Sequence, residues 1–256
     1  MNAMHPAAHD RPETHAASVA LVAWPWLCEA WFSLNRAAGI AEARARCQAE
    51  LLACAYQKPD RHYHNLAHIE ACLRLADAVR HRGHYGLDED GFAALRWAIW
   101  FHDLVDERYD KDGVVRSGEA GRAYLQDADA CDCGGVALGD RVLRIVLATD
   151  YSAAARVGGM PPGGGIEDDP LLSVMRDIDL SILGAEQAHY GQYAEQIRQE
   201  YAHVEEGAYR AGRSKVLLRF LAMPHIYANG WARHMFEDAA RTNLQRELEE
   251  LQNGEP

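Results

Sequence analysis

The chain has 256 residues, 48% apolar and 25% charged, a balance that excludes disorder throughout. Its formal charge of −12 repels nucleic acid and anionic lipid at long range, so no nucleic-acid polymer is expected as a partner, and any phosphate must be held by a local basic cluster or a cation. No segment offers the ~18 uninterrupted apolar residues of a membrane helix, and six scattered cysteines with no secretory signal point to reduced thiols in a cytoplasm.

Taken in chain order, residues 1–17 are rich in His, Ala and Pro and read as a mobile tail, leaving 18–256 as a single helical domain. Helical periodicity dominates and alternating β-branched runs are nearly absent, which predicts an all-α fold around one core. Helices are expected at about 18–37, 40–56, 66–82, 89–104, 116–127, 136–149, 170–183, 186–206, 209–222 and 231–252. Between them, 128–135 and 156–169 are too rich in Gly and Pro to continue a helix and read as surface loops. Cys131 and Cys133 lie in the first of these without a second pair or a nearby His, which favours loop thiols over zinc ligands.

Asn65 is a plausible N-cap for the helix beginning at Leu66, and His68 then falls in its first turn. Steps of three and four from His68 reach Cys72, Leu75, Ala76 and Val79, so this His lies on the buried stripe. His102 likewise extends the stripe Phe92, Leu95 and Ile99. Either His alone is compatible with a satisfied core residue. Asp103, however, stands between Phe101 and Leu104-Val105, where an ionised carboxylate needs a compensating cation. A further acidic partner is available at Asp177 or Asp179; Asp179 aligns with Leu172, Met175, Ile182 and Leu183, which favours it and leaves Asp177 as an outer or surface carboxylate. His68, His102, Asp103 and Asp179 are thus candidate ligands of one divalent ion. The mixed nitrogen and oxygen donors suit Mn²⁺, Fe²⁺ or Ni²⁺ better than an all-oxygen Mg²⁺ or Ca²⁺ site, with Co²⁺ and Mg²⁺ as further candidates for the ion.

The order His, His-Asp, distant Asp resembles the HD-domain superfamily of metal-dependent phosphohydrolases. Three segments carry the resemblance, Arg61-His62-Tyr63-His64-Asn65-Leu66-Ala67-His68-Ile69, Ala98-Ile99-Trp100-Phe101-His102-Asp103-Leu104-Val105 and Asp177-Ile178-Asp179-Leu180-Ser181-Ile182-Leu183-Gly184. They are similar to a bacterial branch of HD-type hydrolases over roughly residues 20 to 252. The resemblance implies an HD-type helical bundle that hydrolyses a phosphate ester or anhydride of a small molecule, with a nucleotide as the substrate class. The chain departs from the branch at Ala148-Thr149-Asp150-Tyr151-Ser152, where a further His is usual, and at Val114 to Ala120, where an Asn-Glu pair is usual.

In that reading Asp103 both holds the ion and accepts a proton from water, and His64 is the candidate for proton transfer to the leaving oxygen, a solvated loop His being its alternative. Arg61, beside a helix start, is the first candidate for gripping phosphate. Arg198 and Arg213 are further candidates, with surface salt bridges as their alternative. Two other functions compete: a non-catalytic HD-type ligand-binding or regulatory module with a structural metal, and a metal-dependent oxygenase, which would want more histidines.

Overall fold

The computed structural model describes residues 24–81, 87–126, 133–151 and 169–254. Among these residues it is entirely helical, with ten α-helices, one 3-10 turn and no strand. The chain divides into two compact units, Met1–Ala55 and Tyr56–Pro256.

The first unit contains helix α1 (Pro25–Ala37) and all but the last residue of α2 (Glu42–Tyr56). Pro25 opens α1 at a position whose N–H has no intrahelical partner to lose. Gly39, at φ 69°, then turns the chain in a conformation that glycine adopts without strain. Trp31 Nε1 donates to Ala45 O at 2.8 Å, tying the two helices together. The expected tail at 1–17, and residues 18–23 of the first expected helix, lie outside the described residues.

The second unit contains α3 (Leu66–His81), α4 (Glu89–Phe101), α5 (Gly113–Gln126), α6 (Cys133–Leu147), α7 (Pro170–Asp179), a 3-10 turn (Leu180–Gly184), α8 (Gln187–Glu200), α9 (Glu206–Ala222) and α10 (Gly230–Asn253). Helix α4 is its axis. Asp88 caps it by accepting from Gly91 N at 2.8 Å, and Trp97 to Phe101 are all buried. It packs on α3, α5, α6 and α7, which is why its polar C-terminal residues have no easy route to water. Close approach of α5 depends on small residues: a Cβ on Gly118 would meet Leu143 Cδ1 at 2.6 Å, and one on Gly121 would meet Phe101 Cγ at 3.1 Å. A second apolar cluster joins the 3-10 turn to α8, α9 and α10 through Leu183, Tyr193, Leu217, Tyr227 and Leu244.

Three expectations need correction. Cys133 to Gly135 belong to α6, not to a loop; residues 128–132 of that expected loop, and 156–168 of the other, lie outside the described residues. Helix α4 ends at Phe101, so that His102 is its C-cap residue and Asp103 lies beyond it. Asp177 is no surface carboxylate: it is buried and accepts from Ala228 N, Asn229 N and Asn229 Nδ2, each at 2.8 Å, anchoring the entry into α10.

Candidate metal centre

The centre assembles from three helices. Asn65 caps α3, its Oδ1 accepting from Ala67 N at 2.8 Å, and this sets His68 in the first turn as expected. The end of α4 supplies His102 and Asp103. The end of α7 supplies Asp179, where the α-helix tightens into the 3-10 turn.

The four side chains converge. His68 Nε2 lies 3.2 Å from His102 Nε2, 3.3 Å from Asp179 Oδ1 and 3.5 Å from Asp103 Oδ2. His102 Nε2 lies 3.1 Å from Asp103 Oδ2 and 3.5 Å from Asp179 Oδ1. Donors ~2.1 Å from a shared cation stand ~3.0 Å apart in octahedral and ~3.4 Å apart in tetrahedral coordination. The observed spacings match that range, so the cluster could hold a metal ion.

Hydrogen bonding supports the same fit. His102 Nδ1 donates to Ile99 O at 2.9 Å, so the neutral ring presents the Nε2 lone pair to the cluster. Asp103 Oδ2 is buried and takes no hydrogen bond despite two imidazole nitrogens within 3.5 Å. An oxygen in that state calls for a cation. The other oxygen of Asp179 accepts from the Tyr151 hydroxyl at 2.9 Å, which orients the carboxylate. Cys72 Sγ rests 3.8 Å from both ring nitrogens of His68, and His68, Cys72 and Asp179 make a second, overlapping donor group.

Without a cation His102 and the two carboxylates are shifted by their neighbours. Burial resists charge on His102, but Asp103 and Asp179 outweigh it and push this imidazole well up. Burial likewise resists charge on both carboxylates, yet His102 and His68 hold them well below the usual range. Glu107 behaves differently: partial burial and the charges of Asp103 and Asp150 push its carboxyl up to about 7.

His64 stands next to the cluster, its ring centroid 6.0 Å from that of His68. Its Nδ1 meets Glu200 Oε2 at 2.7 Å, while Glu200 Oε1 accepts from the backbone N–H of Tyr63 at 2.8 Å and of His64 at 2.9 Å. Glu200 is fully buried and His64 is 39% exposed, so one carboxylate fixes both the turn and the orientation of an accessible imidazole. Burial opposes charge on His64, but the bond from Glu200 prevails and raises its pKa.

The three arginines expected at substrate are engaged elsewhere. Arg61 is buried and donates to His64 O at 3.0 Å, Asp103 O at 2.6 Å and Leu104 O at 3.1 Å, with its guanidinium over the Tyr56 ring. It clamps the chain after His102 instead of facing a ligand. Arg198 bonds Glu206 and the carbonyls of Tyr201 and Val204. Arg213 is paired with Glu247 at 2.7 Å and stacked on Tyr193, which is separated from His68 by the ring of Tyr63.

Sequence reasoning missed Glu200, Glu107 and Tyr151. Glu200 has the only signal available beforehand, an acidic residue among the apolar positions of its helix, since the stripe Tyr190, Tyr193, Ile197 passes through it. No protein-family model matches the chain, and no curated protein matches it.

Proposed function

We propose that the chain is a metal-dependent phosphohydrolase acting on a phosphate ester or anhydride of a small molecule, with a nucleotide as the substrate class. The observation that carries this reading is the convergence of His68, His102, Asp103 and Asp179 at cation-sharing distances beside an oriented, accessible imidazole.

A bound divalent cation supplies two things to phosphoryl transfer: it acidifies water and it draws charge from a phosphoryl oxygen. Asp103 would hold such an ion and accept the proton from its water. Glu200 accepts a hydrogen bond from the Nδ1–H of His64 and leaves the Nε2–H free to protonate the departing oxygen, in the manner of a carboxylate-oriented acid. The raised pKa of His64 keeps more of it protonated near neutrality, the state that this task requires.

A phosphate-release screen over nucleotides and sugar phosphates tests the reading, with Mn²⁺, Co²⁺, Ni²⁺ or Mg²⁺ supplied. Turnover that falls at least ~100-fold in His64→Ala, with metal content unchanged, is the expected result. A second reading, a ligand-binding module with a structural metal, draws support from the engagement of Arg61, Arg198 and Arg213 with protein acceptors. A fully metallated protein that releases no phosphate from any compound would establish it instead.

A further inference from the structure

Tyr151 joins the candidate metal centre to a cation, Arg176, that forms no ion pair among the described residues. Its hydroxyl donates to Asp179 Oδ2 at 2.9 Å, and the guanidinium of Arg176 lies over its ring at 5.6 Å. Arg176 and Asp179 are three residues apart on α7, so they share one face of the helix, a single turn from each other. Arg219 of α9 donates to the Tyr151 carbonyl, and Phe220 packs against the ring with centroids 6.1 Å apart, so α9 also holds the tyrosine.

Arg176 differs from the other arginines that the structure buries. Arg61, Arg108 and Arg213 are all bonded to carboxylates or carbonyls. The Nε of Arg176 is buried without an acceptor, and its Nη groups make no hydrogen bond or ion pair among the described residues. Arg61 and Arg96 also have a buried, unpartnered Nε, but Arg61 spends its Nη atoms on three carbonyls, and Arg96 lies over Phe92 in the first turn of α4 and not over a residue bonded to the centre. A guanidinium carries its donors in a rigid planar fork that can grip an oxyanion through two parallel bonds, and the Tyr151 ring beside Arg176 limits where that fork can go. In a chain of net charge −12, a half-buried cation with no ion pair among the described residues, beside a carboxylate-rich cluster, is a selective point for an anion.

We propose that Arg176, held on Tyr151, is the anion anchor of this centre and takes a phosphoryl group, or an oxyanion of the same shape, presented to the cluster of His68, His102, Asp103 and Asp179. The proposal deepens the hydrolase reading by assigning the phosphate contact that Arg61, Arg198 and Arg213 do not make. It also makes Tyr151 a positioning residue, since it connects the anchor to Asp179.

The test is titration of inorganic phosphate into Mn²⁺-loaded protein, followed calorimetrically, with metal content measured on every sample. Arg176→Ala is expected to weaken phosphate about tenfold, whereas the exposed Arg141→Ala leaves it within twofold. Arg176→Lys should fall between wild type and Arg176→Ala, because it keeps the charge and loses the fork; it also serves if the alanine variant does not fold. Equal affinity in wild type, Arg176→Ala and Arg176→Lys overturns the proposal, as does a metallated wild type that binds no phosphate. The hydrolase reading fails separately. If phosphate binds and Arg176→Ala weakens it while no ester is cleaved, the anchor stands and the hydrolase falls. If esters are cleaved and Arg176→Ala binds phosphate normally, the reverse holds.

Discussion

Replacing Glu200 by Ala should cost more stability than any surface substitution in this chain. Its carboxylate receives three hydrogen bonds, from Tyr63 N, His64 N and His64 Nδ1, at 2.7 to 2.9 Å, and its side chain is fully buried. Truncation leaves two backbone donors without an acceptor, at about 1–3 kcal/mol each when they stay dry. Water reaching the vacated space lowers that figure. The imidazole bond adds little, because His64 is 39% exposed and water replaces part of it. The net cost comes to about 3 kcal/mol. Glu200→Gln keeps one oxygen for the backbone donors and turns its amide toward Nδ1, so its cost should be nearer 1 kcal/mol. Urea unfolding of metal-free protein, read by far-ultraviolet circular dichroism, measures both. A loss below about 1 kcal/mol in Glu200→Ala would refute the argument that this carboxylate holds the turn before α3.

Several other outcomes are expected. The His64–Glu200 pair should make stability pH-dependent. His64 is raised in the folded state, so its contribution is full below about pH 6.5 and is lost as pH rises through the folded value; Glu200 is lowered, so its contribution is present above about pH 4.3 and is lost on acidification. The stability difference between wild type and Glu200→Gln should therefore be larger at pH 5.5 than at pH 8.5, and an equal difference at both would contradict the pairing. Arg61→Ala should destabilise the protein by about 3–5 kcal/mol, because it strips a buried cation from three carbonyls, and Arg61→Lys should not rescue it. A variant that unfolds like wild type but loses only substrate affinity would restore Arg61 to the ligand. Asp177→Ala should cost about 3 kcal/mol in the same unfolding assay by freeing three donors at the start of α10, with metal content unchanged; loss of metal would show that Asp177 shares the centre.

The helices were legible because burial imposes a period on them. His68, His102 and Asp179 each extend an apolar stripe, and a polar residue at a core position is a conspicuous exception; the three stripes meet at one point. Asp177 misled because the residues near it in sequence form a mixed face, while its real partners, Ala228 and Asn229, lie about 50 positions downstream. The arginines misled for a similar reason. A guanidinium near a helix start suits an anion in sequence terms, but Arg61 is consumed by carbonyls that the end of α4 leaves exposed, which appear only once the chain turns after His102. Tyr151 reaches the centre through a tertiary contact with no sequence period behind it, whereas Glu200 left one trace, an acid on the apolar stripe of its helix, that did not reveal its partner His64.

The central claim is that one divalent ion is held jointly by His68, His102, Asp103 and Asp179. Elemental analysis of the purified protein after Mn²⁺ loading and desalting, set beside Asp103→Ala and Asp179→Ala with their helicity checked, tests it most directly. The account predicts about one ion per chain in wild type and loss of nearly all of it in both variants, which keep their helical signal because packing and not the ion supports the helices. Helical variants that retain a full equivalent of metal would contradict it.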